Sequence, residues 1–129
     1  MSRALNDLDL RFKPLAMELI ARCSEVGCPV QIIFTLRTKE EQDKLIAEGR
    51  SWTRNSKHLP QTPSGQSLAI DICPYHEFDL YGPDKLQWDA NAEVWQLIGR
   101  IGEGLGLRWG GRFGPPAKPD MGHFEMRIK

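Results

Sequence analysis

"QSLAIDICPY", residues 66–75, carries two patterns in one short run. Leu68, Ile70 and Ile72 recur with period two and share one face of a strand, while Ala69, Asp71 and Cys73 share the other. Asp71 breaks the apolar character of the run. A carboxylate in the middle of such a strand is costly unless it is paired or bound to a cation. Residues 50–66, just upstream, are polar and rich in Pro, Ser and Gly, and read as a long functional loop. His58, one of only three histidines, lies in that loop, so a stiff connection joins a histidine to a buried aspartate.

Working outward, the closing "HFEMRI" also alternates. His123, Glu125 and Arg127 face one side, and Phe124, Met126 and Ile128 the other. Val30, Ile32, Ile33 and Phe34 form a short run expected to be a largely buried strand, and a further short strand is expected around Trp109. Three helices are expected between these strands and before them. In the first, Leu5 and Leu8 make an opening turn, Pro14 fits the first turn, and Leu15, Leu19, Ile20 and Cys23 form the apolar stripe. Gly27 and Pro29 end it. In the second, Thr38 and Glu41 form a capping box, Leu45 and Ile46 give an inner face, and Gly49 stops the helix. The third runs through "DANAEVWQLIGRIGEGLG", with Asp89 as N-cap and Val94, Leu97, Ile98 and Ile101 as stripe; residues 74–88 before it look irregular. Mixed helices and strands with few βαβ units predict an α+β fold, a small mainly antiparallel sheet with packed helices.

A chain of 129 residues predicts one domain spanning 1–129, long enough to bury a core without staples. The 17 basic and 17 acidic residues cancel, which argues against a general nucleic-acid or membrane-surface binder. No stretch approaches the roughly 18 apolar residues of a membrane span. The charged N-terminal "MSRALNDLDLRFKPLAMELI" lacks a signal-peptide core, so a cytoplasmic product is expected. Cys23, Cys28 and Cys73 are an odd count at irregular spacing, and read as buried or half-buried thiols rather than a disulfide framework. The tryptophans 52, 88, 95 and 109 read as core and cleft walls.

Asp71 with His58 and His123 makes a reasonable donor set for Zn²⁺, two imidazoles and a carboxylate with a fourth position left for water. Spacing alone leaves other readings open. Asp71 can instead pair with Arg37, His123 can bond a backbone carbonyl, His58 can be an exposed loop residue, and His76 can replace one of the ligands.

The stretches "FTLRTKEEQDKLIAEGR", "SKH…GQSLAID" and "PDMGHFE", in that order, resemble the VanY-like D-Ala-D-Ala carboxypeptidase/L,D-endopeptidase family of zinc peptidases. The similarity spans roughly residues 30–128 and is greatest to phage endolysins acting as L-alanyl-D-glutamate peptidases. It implies the small α+β fold shared with the zinc domain of Hedgehog proteins. It also implies His58, Asp71 and His123 as zinc ligands, Asp120 as general base and acid, and Arg37 as holder of a substrate carbonyl or carboxylate. Gln42 and Ser56 fall at positions that line the substrate cleft. Each of these last four has an ordinary alternative: Asp120 a turn residue, Arg37 a surface group, Gln42 a solvent-facing one, Ser56 a turn cap. Glu125 either orients a ligand or forms a cross-strand ion pair.

The resemblance thus implies a zinc-dependent peptidoglycan endopeptidase cutting the stem peptide, with the L-Ala–D-Glu bond as the expected site. Its partners would be the stem peptide, with no nucleic acid and no stable membrane association, and the protein would act as a monomer once the membrane is permeabilised. The alternatives are a D,D-carboxypeptidase removing terminal D-Ala and a catalytically silent zinc domain that binds wall fragments. The sequence departs from the family pattern twice. Twelve residues separate His58 from Asp71 where many members have six, and Gly122 stands where a proline commonly precedes the His, giving an expectation of added backbone freedom at His123.

Overall fold

The computed structural model describes residues 1–51, 53, 55–61, 63–75, 85–115 and 117–127. Its helices are α1 (Lys13–Glu25), α2 (Lys39–Ala47) and α3 (Val94–Gly104), and its strands β1 (Val30–Phe34), β2 (Ala69–Pro74), β3 (Leu107–Trp109) and β4 (His123–Met126). The strands form one antiparallel sheet in the order β1-β2-β4-β3. The α+β expectation holds.

The period-two reading of β2 and β4 explains how the sheet is used. Ile70 lies opposite Phe124, and Asp71 opposite His123. Leu68, Ile70, Ile72 and Phe124 are fully buried, in one cluster with Phe12, Leu19 and Cys23 from the first helical segment, Ile98 of α3, and Leu107 and Trp109 of β3. Each such Leu, Ile or Phe stabilises the fold by about 1.5–3 kcal/mol. The opposite face of the same strands carries Asp71, His123 and Glu125.

Several elements differ from expectation. β1 is an edge strand and only partly buried, because a single neighbour, β2, flanks it. α3 begins at Val94, with Glu93 at its N-cap and no side-chain cap bond. Asp89 instead organises the turn ahead of it. Its carboxylate accepts from Asn91 N at 3.0 Å and its carbonyl from Trp95 Nε1 at 3.0 Å, local bonds that compete with helix. Of the expected α3 stripe, Ile98 is fully buried and Val94 and Ile101 are partly buried against the core, and Trp95, Gly99 and Gly102 are buried beside them. The missing side chains leave room for other rings: a Cβ on Gly102 would lie 2.3 Å from Phe124 and one on Gly99 2.5 Å from Trp109. Trp95 and Trp109 are buried, but Trp88 is 55% exposed, and Trp52 lies outside the described residues. In α2 the capping box of Thr38 and Glu41 is present, and the buried positions are Gln42 and Leu45. Cys23 and Cys73 are buried and Cys28 partly so, and none of the three is in a disulfide.

The loop ahead of β2 is fixed at both ends. Arg37 N donates to the His58 carbonyl at 2.8 Å, and Leu68 N to the Lys57 carbonyl at 2.9 Å. Between these clamps the loop turns towards the N-terminal segment. Ser64 Oγ donates to Asp9 at 2.6 Å, and Gln66 Nε2 to the Asn6 carbonyl at 2.8 Å. Asp9 is buried, and also accepts from Arg11 N, Nε and Nη2 at 2.8–3.0 Å. The Arg11 side chain foremost, against the opposing effect of burial, holds the Asp9 carboxyl well below its ordinary value of 3.8.

A depressed folded-state value contributes stability that is present above the unfolded value and is lost as pH falls below it. Asp9→Asn is therefore expected to destabilise the protein near neutral pH, and the gap to wild type is expected to narrow below about pH 4. Urea unfolding at the two pH values checks this; an equal gap at both would contradict it.

Candidate metal and catalytic site

Asp71 and His123 are cross-strand neighbours, so their side chains meet on the open face of the sheet. His123 Nδ1 lies 3.1 Å from Asp71 Oδ1. The two chain clamps at residues 57 and 58 bring His58 to the same carboxylate, with Nε2 3.0 Å from Oδ1. The two imidazole rings meet edge-on, with centroids 5.1 Å apart. One donor atom from each of His58, Asp71 and His123 falls within 4.8 Å of the others.

The outward nitrogens decide which atoms face inward. His58 Nδ1 is 2.7 Å from the carbonyl oxygen of Thr35, which can only accept, so Nδ1 carries the proton and Nε2 is the inward atom. His123 Nε2 is 2.8 Å from Glu125 Oε1 and donates to it, leaving Nδ1 inward. The result is two nitrogens and a carboxylate converging, each imidazole oriented from behind, the donor chemistry that suits a divalent metal. Thr35 escaped the sequence reading because its contribution is a backbone carbonyl, placed beside a break in the β1–β2 register between Ile32 and Phe34.

Charges at the site oppose burial. Burial raises the Asp71 carboxyl, but the charge of His58 and the hydrogen bonds from both imidazoles bring it well below the usual range. Burial lowers His123, yet its bonds to Asp71 and Glu125 leave it raised to about 10, so a metal at Nδ1 would have to displace a proton there. Glu125 is shifted downward against its own burial by the His123 bond, and Arg108, its cross-strand partner, stands 3.8 Å away. Glu125 thus makes both contacts that the sequence left as alternatives.

These groups form part of an open groove of about 460 Å³. Arg37, Ser56, Lys57 and His58 line it together with Phe113, Lys118 and Asp120. Arg37 is 8% exposed rather than a surface arginine, and its Nη2 lies 3.9 Å from Asp71 Oδ2, so the Asp71–Arg37 pairing coexists with the imidazole contacts. Desolvation in the groove, then the charge of Asp71, raises the Asp120 carboxyl, although the residue as a whole is exposed. Ser56 combines both of its readings. Its Oγ accepts from His58 N at 3.1 Å, fixing the turn, and it also lines the groove. Gln42 does neither of the things expected of it. It is 1% exposed, absent from the groove lining, and its amide is taken up by Arg37, Ser51 and Thr53. No described residue of 59–66 lines the groove, and His76 lies outside the described residues.

Gly122 has a steric reason rather than a conformational one. A Cβ there would lie 2.3 Å from the Ile72 carbonyl oxygen, because Ile72 N bonds Gly122 O at 2.9 Å where β4 begins. Close backbone approach, which constrains His123, replaces the freedom expected from the sequence.

No curated protein matches the sequence. Among solved structures, the chain is similar to the Serratia marcescens L-Ala D-Glu endopeptidase ChiX, with TM-score 0.66 and 18% identity over 95% of this chain and 83% of that one. It is also similar to a point mutant of the vancomycin-resistance D,D-pentapeptidase VanY, from a VanB-type resistance cassette, in complex with Zn(II). There the TM-score is 0.53 and the identity 17%, over 92% of this chain and 72% of that one. At these identities the likeness is one of fold. A family model described as D-alanyl-D-alanine carboxypeptidase matches residues 49–126, the span that holds His58, Asp71, Asp120 and His123. That match covers more than half of the sequence, and the chain belongs to this D-alanyl-D-alanine carboxypeptidase family of peptidases.

Proposed function

We propose that the protein is a zinc-dependent endopeptidase that hydrolyses peptidoglycan stem peptides at the L-Ala–D-Glu bond. The observation that carries this reading is the convergence of His58 Nε2, Asp71 and His123 Nδ1 in a groove that also presents Asp120 and Arg37. Zinc held by these three side chains would supply Lewis-acid polarisation of the scissile carbonyl and acidification of the attacking water. Asp120 takes the proton from that water and passes it to the leaving amine, so that amide and water become acid and amine. Its raised carboxyl value suits a group that must both accept and return a proton. Arg37, a buried guanidinium, stabilises negative charge on a substrate oxygen. Thr35 and Glu125 hold the two imidazoles in the tautomers that turn Nε2 and Nδ1 inward.

The groove's charge supports an anionic peptide. Arg50, Lys57, Arg108 and Lys118 line it in a chain whose net charge is zero. Stem peptides carry free carboxylates on D-Glu and diaminopimelate. ChiX, whose fold this chain shares, is described as an L-Ala D-Glu endopeptidase. The family description favours a second reading, removal of terminal D-Ala by the same groove.

Product analysis separates the two readings. Purified muropeptides incubated with the zinc-loaded protein are expected to yield fragments split between L-Ala and D-Glu by mass spectrometry; release of D-Ala alone would establish the second. Asp120→Ala is expected to keep its fold and zinc while losing about 10²–10⁴-fold in turnover. Unchanged turnover would remove Asp120 from the reaction and leave the groove as a binding site. Glu125→Gln is expected to weaken zinc binding about 10–100-fold in a chelator competition titration, with the folded state retained. Wild-type affinity in that variant would show that His123 needs no carboxylate behind it.

A further inference from the structure

Gln42 sits on α2, a helix otherwise rich in charge, yet it is buried as deeply as the core. A buried primary amide is costly unless both its oxygen and its two N–H groups find partners. Here all are used. Oε1 accepts from Arg37 Nη1 at 2.7 Å, while Nε2 donates to Ser51 Oγ at 2.8 Å and to the Thr53 carbonyl. Arg37 faces the groove near Asp71, whereas Ser51 and Thr53 form part of its wall. Arg50 N and Ser51 N also bond the Leu45 carbonyl, at 2.8 and 3.2 Å, so the wall hangs from the end of α2. One amide thereby joins the groove's innermost cation to its wall without touching the groove space itself.

We propose that Gln42 is a positioning residue that sets both substrate-facing elements: the guanidinium of Arg37 and the wall formed by Ser51 and Thr53. The proposal rests on the peptidase reading of the groove. Arg37 Nη2 stands 3.9 Å from Asp71, too far for a tight bidentate pair, while Nη1 is held by Gln42. Removing the amide oxygen frees the guanidinium to close on Asp71 and withdraw from the substrate. Removing only the amide N–H groups leaves Arg37 in place and releases the wall.

Three variants separate these effects. Gln42→Glu keeps an acceptor for Arg37 and loses both donors; Ser51→Ala loses one wall contact; Gln42→Leu loses everything. With muropeptide substrate, Gln42→Glu and Ser51→Ala are expected to raise KM, by up to about tenfold, the worth of one or two hydrogen bonds. The kcat of Ser51→Ala is expected to stay within about twofold; Gln42→Glu sets a carboxylate against Arg37 and is read by KM and the Arg37 signal alone. Gln42→Leu is expected to lower kcat by about tenfold as well. Zinc affinity is expected to be unchanged in Gln42→Glu and Ser51→Ala. The ¹⁵N NMR signal of the Arg37 side chain reads the strut without any turnover, and is expected to persist in Gln42→Glu and to shift or broaden in Gln42→Leu. Equal losses of kcat in Ser51→Ala and Gln42→Leu, or wild-type kinetics in both, would overturn the proposal. If Gln42→Leu fails to fold, the KM-only effect in Ser51→Ala decides it. If the wild type leaves muropeptides intact, the peptidase reading fails, and the Arg37 signal still decides whether Gln42 holds the guanidinium.

Discussion

A single carboxylate in the middle of the sheet sets the terms for the rest of the molecule. Asp71 has β1 on one side of its strand and β4 on the other, and it is largely withdrawn from water. An ionised group there requires partners, and the chain supplies two imidazoles and a guanidinium from three separate segments. Each partner is in turn held from behind: His58 by a backbone carbonyl, His123 by Glu125, Arg37 by Gln42. The strand order follows the same need, since only β4 beside β2 places His123 opposite Asp71. A half-built version of this network would be worse than an apolar core, so it is specified as a unit.

Much of this was legible in the sequence. Strict alternation in β2 and β4 revealed which residues share a face, because a period of two leaves no ambiguity once the apolar face is known. Asp71 stood out for the same reason. The capping box of α2 was readable because its chemistry is local. What escaped involved tertiary partners. Gln42 was expected to line the cleft or to face solvent, and only the return of Ser51 and Thr53 over it makes it buried. Thr35 contributes through its backbone, which residue identity does not report. In α3 the periodicity reading passed over two buried glycines, because glycine is counted as neither polar nor apolar, yet here it makes room for Phe124 and Trp109. Gly122 read as freedom and proved to be a contact.

Electrostatics follow a similar logic at a larger scale. A net charge of zero hides an uneven distribution, with Arg37, Arg50, Lys57, Arg108 and Lys118 gathered around one groove. The acids there, Asp71, Glu125 and Asp120, face basic partners or the groove interior. Such focusing raises the local concentration of anionic ligands and depends on ionic strength. It does so without making the whole surface adhesive.

The loop between His58 and Asp71 separates distance along the chain from distance in space. Its ends are clamped by backbone bonds at residues 57, 58 and 68, while its far side rests on residues 6–9, away from the groove. Doubling the length of a flexible loop costs only about 0.6 kcal/mol in closure entropy. The spacing of His58 and Asp71 in sequence is consequently a nearly neutral variable in such a fold, free to drift as long as the clamps remain. A search that demands a fixed interval between the histidine and the aspartate would pass over chains like this one; a search for the two clamped ends and the alternating strand would not.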